Sequence, residues 1–303
     1  MGMFVPTSVK RPHWVLLGRV GPLKRPGVQQ HTVHGKRLIS FVDDRAELQV
    51  MDEACPHRGA SLAGGTVQDA SVECPYHRLA CSSATHPARS YDYAAIQGLV
   101  WLDYAKDLIT QHVMPPYYPE FSSKEYRTFG YSRTLDVNPV LYLENLLDWV
   151  HAETVHGVKT KPIVTVSRTG PDGSATLAYD TPLGPLTVEN EYRVPFTASL
   201  RFRFGDSTVM LVMFSLQPTS RSSTRLHVHI ARSIAQWPAA DWLFRVVTEA
   251  PVWADERLVG SIDPSGWPRN FLNSSDELAV AYREAMGRHY PDALAYFIYS
   301  NSA

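Results

Sequence analysis

Apolar and polar residues alternate over short stretches in the first third of the chain. A period of two is typical of strands that bury one face, and turn residues such as Gly35 and the pair Asp43-Asp44 separate the stretches. The strands predicted in this way cover residues 31–33, 37–42, 48–51 and 98–104. Together they predict a small antiparallel β domain.

Three prolines close together, Pro115, Pro116 and Pro119, follow this domain. Proline fixes φ and cannot donate a backbone hydrogen bond, so we expect the segment to be stiff and non-helical. We therefore predict a first domain over residues 1–112, a Pro-rich linker over 113–125 and a second domain over 126–303.

The second domain begins with an apolar helix, continues as a series of strands and ends with two more helices. The first helix is predicted over residues 139–151. The predicted strands cover 163–169, 174–180, 185–194, 197–204, 208–217 and 224–232, and the later helices 239–262 and 275–288. This order predicts a strand-rich α+β domain.

Composition and charge narrow the function classes. Lys+Arg 29 against Asp+Glu 30 leaves a net charge of -1, which does not favour a nucleic-acid ligand. Three cysteines are an odd number in a chain of 303 residues, so we expect reduced thiols or metal ligands and a cytoplasmic protein. No apolar run approaches the roughly 18 residues of a membrane span.

The first group of candidate ligands lies between the predicted strands. The two loops are Cys55-Pro56-His57-Arg58-Gly59 and Cys74-Pro75-Tyr76-His77, with sixteen residues between His57 and Cys74. Each loop offers one thiolate and one imidazole, and the prolines and glycines favour tight turns. Three interpretations stand: a tetrahedral zinc site, a 2Fe-2S cluster with the cysteines on one iron and the histidines on the other, or plain buried residues.

The two loops, CPHRG and CPYH, resemble those of the Rieske ferredoxin domain, a small antiparallel β fold. The resemblance implies a 2Fe-2S cluster with Cys55 and Cys74 on one iron and His57 and His77 on the other. Neutral imidazoles in place of two thiolates raise the reduction potential, so such a centre accepts electrons readily. The chain departs from the family after His77, where Arg78-Leu79-Ala80-Cys81 replaces a glycine and an aromatic residue; we interpret Cys81 as a small buried apolar residue.

A second group of polar residues interrupts the apolar helix over 139–151. Glu144, Asn145, Asp148 and His151 recur at steps of three and four, so on a helix they share one face. His156 follows His151 by five residues, and both can bind one ion only if the helix ends or bulges between them. Alone, such a pair of histidines is more often a packing feature than a metal site.

Two histidines and one carboxylate form the ligand set of non-haem Fe(II) oxygenases. The acidic candidates are Glu249, Asp255, Glu256 and Asp263. Three of them follow a seven-residue spacing that predicts a solvated stripe, whereas Asp255 falls on the apolar face. The neighbours predicted for Asp255 on that face are Phe244, Val252, Leu258, Val259 and Ile262. A metal ion would compensate an otherwise costly buried carboxylate there.

The whole pattern resembles the Rieske non-haem iron oxygenases. The resemblance rests on Glu144-Asn145-Leu-Leu-Asp148-x-x-His151-x4-His156 and on Asp255-x-x-Leu258-Val259. It implies a C-terminal helix-grip catalytic domain, in which an antiparallel sheet packs with helices, and a mononuclear Fe(II) on His151, His156 and Asp255. Glu144 and Asn145 are expected near this iron, with hydrogen bonding inside the helix as the alternative.

Asp148 precedes His151 by one predicted helical turn. Its carboxylate is therefore expected to accept a hydrogen bond from the ring nitrogen of His151 that does not bind metal. In the family the matching aspartate also meets a Rieske histidine of the neighbouring subunit, here His77 by position, within a homotrimer. The alternative is that Asp148 only orients His151.

The resemblance implies an oxygenase that receives electrons from NAD(P)H through a ferredoxin and/or a flavin reductase, and that uses O2 on a small organic substrate. The three-residue step from Asn145 to Asp148 is similar to the vanillate- and dicamba-demethylase group. We therefore predict monooxygenation, either hydroxylation or O-/N-dealkylation. The alternatives are ring cis-dihydroxylation, or a Rieske electron-transfer protein whose second domain is not catalytic.

Overall fold

A computed structural model describes residues 14–104, 114–157, 163–169, 171–182, 184–264 and 276–299. The chain forms two compact units and changes from the first to the second between Tyr117 and Tyr118. The short segment Gln217–Ser220 belongs again to the first unit. The predicted boundaries at residues 112 and 126 stay a prediction, because residues 105–113 lie outside the described part of the chain.

The described part of the first unit consists of short antiparallel strands. Its elements are β1 (Trp14–Arg19), α1 (Val20–Leu23), β2 (Gln29–Val33), β3 (Lys36–Val42), β4 (Leu48–Asp52), β5 (Thr66–Gln68), β6 (Ser71–Glu73), β7 (Ala80–Cys81), β8 (Tyr93–Ile96) and β9 (Leu99–Asp103). They form three sheets of three strands, in the orders β1-β9-β8, β2-β3-β4 and β5-β6-β7. The predicted strands correspond to β2, β3, β4 and β9, and the predicted antiparallel β domain is confirmed.

The second unit is one sheet with helices packed on it. Its described elements are β10 (Arg127–Leu135), α2 (Pro139–Leu147), α3 (Trp149–Thr154), β11 (Ile163–Thr169), β12 (Asp172–Thr181), β13 (Gly184–Arg193), β14 (Thr197–Phe204), β15 (Ser207–Pro218), β16 (Thr224–Arg232), α4 (Ala240–Val259), α5 (Glu277–His289), α6 (Pro291–Leu294) and a π-helical turn (Ala295–Tyr299). The sheet is antiparallel with the order β10-β16-β15-β14-β13-β12-β11. All six predicted strands are present, and the α+β class is confirmed.

Strand β10 was not predicted, and its sequence explains why. It contains Gly130, a residue that weakens a strand pattern, and its polar residues do not alternate cleanly. The glycine is needed because a Cβ at this position would lie 2.7 Å from the ring of His229 and 2.7 Å from the carbonyl of Val228. Close packing between β10 and β16 therefore requires Gly130, and this glycine interrupts the pattern from which β10 could have been predicted.

Neighbouring residues of β10 show which face of the sheet meets the helices. The hydroxyl of Tyr131 donates to Thr248 of α4 at 3.1 Å. Ser132, which points to the opposite face, lies 2.8 Å from Nδ1 of His227 on β16. His227 is thus used in cross-strand pairing on the face away from α4.

The predicted single helix over 139–151 is wrong. Helix α2 ends at Leu147, Asp148 is extended (φ -85°, ψ 110°), and α3 begins at Trp149. The carboxylate of Asp148 accepts hydrogen bonds from the backbone N–H groups of Val150 (2.8 Å) and His151 (3.3 Å). An aspartate that caps a new helix competes with continuation of the old one, which is the physical reason for the break.

Helix α4 is the longest described helix and includes Pro251 in its interior. It packs against α2 and β10. Neither α4 nor any other helix in the described ranges combines the length and the apolar character that a bilayer crossing needs.

Candidate metal sites

The two loops of the first site share one backbone design. The N–H of Gly59 donates to the carbonyl of Cys55 at 2.8 Å, and the N–H of Arg78 donates to that of Cys74 at 2.9 Å. Gly59 and Arg78 both adopt left-handed conformations, with φ of 74° and 56°. Each loop is closed again by a bond back to its cysteine: the N–H of Cys55 donates to Ala60, and that of Cys74 to Leu79. The loops therefore present Cys55 and Cys74 in equivalent ways.

Sulfur and imidazole lie at different depths in this site. Cys55 and Cys74 are buried in a core cluster with Cys81. His57 and His77 are exposed, and their ring centroids lie 4.8 Å apart. The histidines border a surface depression of about 640 Å³. Thiols on the inside and imidazoles on the outside match a cluster that is held at the protein surface.

The pKa of Cys74 shows that its surroundings favour a thiolate. Burial raises this pKa, but the backbone N–H groups of Tyr76 and His77 and the thiol of Cys55 bond to the sulfur, and the net pKa lies below its ordinary value. Donors aimed at a buried sulfur are what a thiolate ligand of a cluster requires. The residues therefore fit a 2Fe-2S cluster.

Cys81 behaves differently from its two neighbours. Burial, together with the nearby Cys55, raises its pKa to about 12. Its thiol donates to the carbonyl of Leu79 at 3.5 Å, and the side chain is fully buried. A thiol that stays protonated and packed is a small core residue, as the sequence predicted.

The second site brings together His151 of α3, His156 in the turn that follows, and Asp255 of α4. Oδ1 of Asp255 lies 3.0 Å from Nε2 of His156 and 3.6 Å from Nε2 of His151. One ligand atom from each residue lies within 4.8 Å of the other two, a spacing that can hold a metal ion. The end of α3 at Thr154 makes this possible, because His156 lies beyond the helix and is not held about 140° away from His151.

His151 is oriented by the backbone of Asp148. Nδ1 of His151 lies 2.5 Å from the carbonyl oxygen of Asp148, so this nitrogen donates and Nε2 is left to face Asp255. The expectation that the Asp148 carboxylate accepts this bond is wrong. The carboxylate cannot do so because it is turned towards the N–H groups at the start of α3.

Asp255 has the character of a carboxylate that lacks a cation. It is only 3% exposed, and burial raises its pKa, while His151 and His156 act in the opposite direction. Although His156 is close, Oδ1 has no hydrogen bond of regular geometry. A buried acceptor that faces two imidazoles and lacks a donor fits a divalent metal ion with nitrogen and oxygen ligands.

The predicted surroundings of Asp255 need one correction. Val252 and Val259 are buried beside it, but Leu258 and Ile262 are exposed. The apolar face of α4 is therefore wider than the part of the helix surface that packs against the rest of the second unit. Among the other acidic candidates, Glu249 pairs with Arg245, Glu256 pairs with Arg133, and Asp263 is exposed.

Glu144 and Asn145 take different places. Glu144 forms a bidentate ion pair with Arg283 of α5, at 2.6 Å (Nε–Oε1) and 2.9 Å (Nη2–Oε2). Asn145 lies close enough to Asp255 to lower the pKa of that carboxyl, but its Nδ2 makes no hydrogen bond of regular geometry. Glu144 therefore ties α2 to α5, and Asn145 faces the metal-ligand group.

Two contacts that hold the end of α2 were not found from the sequence. One is Arg283, and the signal that points to such a partner is that a buried carboxylate such as Glu144 needs one. The other is Asn190 of β13, whose Nδ2 donates to the carbonyl of Leu146 at 2.8 Å. No local pattern predicts that contact.

Residues 13–90 match the family described as the Rieske [2Fe-2S] domain. The chain is 27% identical over 161 residues to the oxygenase component of 3-ketosteroid-9-alpha-monooxygenase from Mycolicibacterium smegmatis, a match that covers 47% of this chain and 42% of that protein. It is 30% identical over 122 residues to the oxygenase component of dicamba O-demethylase from Stenotrophomonas maltophilia, covering 34% and 35%. These sequence matches thus span less than half the length of either relative.

The fold has a counterpart over almost its whole length. The crystal structure of dicamba monooxygenase bound to dicamba superposes with a TM-score of 0.81 and 19% identity, over 94% of this chain and 99% of that chain. The protein therefore has a Rieske domain followed by an antiparallel sheet with helices, which is the fold of the dicamba monooxygenase structure. The resemblance inferred from the two sequence motifs is confirmed.

Proposed function

We propose that this chain is the oxygenase component of a Rieske non-haem iron monooxygenase, which hydroxylates or O-/N-dealkylates a small organic substrate with O2. The observation that carries the proposal is the convergence of His151, His156 and Asp255 in a chain that also has a Rieske domain. The relative named dicamba O-demethylase, oxygenase component, supports dealkylation as the reaction. Ring cis-dihydroxylation is the second candidate reaction.

In this proposal each ligand group has its own metal centre. The 2Fe-2S cluster is held by the two loops, through Cys55, His57, Cys74 and His77, and Fe(II) is held by His151, His156 and Asp255. When bound, the cluster supplies one-electron storage and the ferrous ion supplies oxygen activation.

The other residues of the second site position its ligands. The Asp148 carbonyl fixes which nitrogen of His151 faces the metal, and the Asp148 carboxylate sets where α3 begins. Asn145 offers a donor beside Asp255, and Glu144 anchors the helix that carries Asn145. In the proposal Asp148, Asn145 and Glu144 keep the metal ligands in one geometry during turnover.

Electrons come from NAD(P)H through a ferredoxin and/or a flavin reductase. The exposed rings of His57 and His77 support a donor that approaches the cluster from solvent. Three free, buried cysteines support a reducing compartment, and we place the protein in the cytoplasm.

Metal analysis and oxygen uptake test this proposal together. The purified chain is expected to be brown and to contain about three iron atoms, two in the cluster and one at the second site. A Rieske carrier would contain about two, and a zinc protein none. With reductase and NADH, a screen of small aromatic ethers, N-methyl compounds and sterols should show substrate-dependent oxygen uptake. About two iron atoms per chain, without substrate-dependent oxygen uptake, would favour the carrier.

The proposed assembly is a head-to-tail homotrimer, in which His77 of one chain approaches Asp148 of the next. A heterologous ring of this kind needs no self-complementary patch. The exposed position of His77 supports it, because that ring is available to a neighbour.

Mixing two inactive variants tests electron transfer between chains. His77→Ala removes a cluster ligand and His151→Ala removes an iron ligand, so each variant alone should be inactive. Co-assembled, they should regain part of the activity, because an intact cluster then lies beside an intact iron in a neighbouring chain. Verified mixed oligomers that stay inactive, although each variant folds, would rule out transfer across the interface.

A further inference from the structure

One side of α4 is apolar and exposed. Its six large apolar side chains lie on one side of the helix at about 100° per residue, and each is between 45% and 70% exposed. They are Trp242, Leu243, Val246, Val247, Trp253 and Leu258, and we name this set the α4 apolar face. Ala250, Ala254 and the charged Arg257 lie between them on the helix, and the guanidinium of Arg133 on β10 lies 4.5 Å from the ring centre of Trp253.

The opposite side of the same helix is already used. Val252, Asp255 and Val259 are buried against the second unit, and Thr248 accepts the hydroxyl of Tyr131. Helix α4 therefore has two apolar sides, and a charged stripe of Arg245, Glu249 and Glu256 separates them. A helix at the surface of a monomer usually has one apolar side and a polar outer side, so the second apolar side of α4 indicates a further contact.

The size of the α4 apolar face indicates how much it contributes to a contact. From typical side-chain areas, its six members expose roughly 600 Å² together. This equals the upper range for the largest apolar patch of a monomer, about 300–600 Å². It also amounts to most of the roughly 800 Å² that each partner contributes to an interface of standard size.

The composition of the face indicates which kind of partner covers it. Interfaces between identical chains are more apolar and contain few charges, whereas brief encounters with electron donors are smaller and are guided by charge. Two exposed tryptophans with only two charges near them, Arg257 and the Arg133 guanidinium 4.5 Å from the ring centre of Trp253, match the first kind. We propose that the α4 apolar face is a permanent contact surface between copies of this chain.

This inference deepens the proposed self-assembly, since it names the surface through which copies meet, and it does not depend on bound iron. Asp255 lies on the reverse side of the same helix. The proposed contact between copies is therefore made by the same helix, α4, that carries the candidate metal ligand Asp255. The oligomer is expected to form in the metal-free protein as well.

Sedimentation velocity of the full chain tests the proposal. The wild type should sediment as a multiple of 34.0 kDa at micromolar concentration. Val247→Glu and Val247→Lys introduce opposite charges at a position that is 58% exposed, and both should weaken association by at least about 30-fold, as expected when a residue at the centre of an interface is lost. Trp242→Glu should have the same effect.

The matched control is Tyr93→Glu, which puts the same charge on an exposed aromatic residue of the first unit, on β8. It should leave the oligomer intact. Far-UV circular dichroism and the visible cluster absorbance check that each variant is folded; if Trp242→Glu does not fold, the two Val247 variants decide the question. Iron content and oxygen uptake of the assembled wild type are measured on the same samples. These two measurements test the proposed function, whereas sedimentation tests the proposed contact surface, so the failure of one proposal can be distinguished from the failure of the other.

Two outcomes overturn the proposal. One is a wild type that is monomeric at 34.0 kDa. If the tryptophans of that monomer are also shielded from a soluble quencher, other residues of the same chain cover the α4 apolar face. The other is an oligomer that both Val247 variants leave unchanged. Loss of the oligomer in both Val247 variants, with Tyr93→Glu unaffected, supports the proposal.

Discussion

The two candidate metal sites differ in how the chain brings their ligands together. The first uses residues between positions 55 and 77, which two matched loops hold by backbone hydrogen bonds within each loop. The second joins residues 151 and 156 to residue 255, and only the packing of α4 beside α2 closes that distance. A site built locally can be identified from its sequence spacing, whereas a site built by packing depends on the fold.

The sites also differ in exposure. The imidazoles of the first site face solvent, but the carboxylate of the second is buried. Under the proposed function this difference matches two tasks. Electrons enter at a surface, while oxygen chemistry benefits from a site that excludes water.

The largest expected effect separates the two sites completely. His156→Ala removes one ligand of the second site and should lower turnover by at least about 100-fold, more than the loss of a residue that only supports a ligand. The visible cluster spectrum should be unchanged, and iron analysis should show a loss of about one iron per chain. Full iron content with normal turnover would contradict the assignment of His156.

Asp148 offers a pair of variants that separates two roles. Asp148→Ala loses both the helix cap and the charge, and should cost about 1 kcal/mol of stability. Asp148→Asn keeps a good cap and removes only the charge, so its unfolding free energy should stay near that of the wild type. Under the proposed transfer between chains, Asp148→Asn should still lower turnover about 10- to 100-fold, with normal reduction of the cluster by dithionite.

The measurement is turnover together with urea unfolding for both variants. An Asp148→Asn protein with full turnover would reduce Asp148 to a helix cap. The second site would then resemble the first, where backbone geometry alone orients the ligands.

The ion pair between Glu144 and Arg283 tests how far the second site depends on packing. The side chains are 11% and 16% exposed, so Arg283→Met should cost about 2 kcal/mol, less than for a fully buried pair. Iron should also be lost more readily during dialysis, because α2 carries Asn145 beside Asp255.

The control is Arg168→Met. It breaks an ion pair with Glu284, the residue after Arg283, in which both side chains are 50% exposed. Such a pair contributes about 0–1 kcal/mol. Urea unfolding curves that shift equally for both variants would show that the Glu144–Arg283 pair contributes no more to stability than the exposed Arg168–Glu284 pair.

The smallest effect is expected inside the first site. Cys81→Ala should cost about 1 kcal/mol and keep the cluster absorbance, because its protonated thiol only fills the core. Cys74→Ala should abolish that absorbance. Loss of the cluster in both variants would show that Cys81 takes part in binding it.

The sequence predicted most of the fold because its strands carry clear alternation and clear turn residues. It predicted the six strands from β11 to β16 but not β10, whose glycine serves a close contact with His229. It also missed the short strands of the first unit such as β5 and β6, which have three residues each and too few positions for a periodic pattern.

The limits of the site prediction have the same cause. His151 and His156 were identified by spacing, and Asp255 by its place on an apolar helix face. The break at Asp148 was missed, because an aspartate within an apolar run can either continue a helix or cap the next one. Arg283 was missed as the partner of Glu144, because an ion pair between distant segments leaves no local signal.

The extended residue at Asp148 has a consequence for helical phase. In an unbroken helix, one inserted residue rotates everything after it by about 100°. Here α3 starts anew from its own cap, so the direction of His151 is set by the distance from Asp148 and not by the length of α2. Asp148 and His151 therefore form one unit with its own internal geometry, and a residue gained or lost between them would change the direction of His151 relative to its cap.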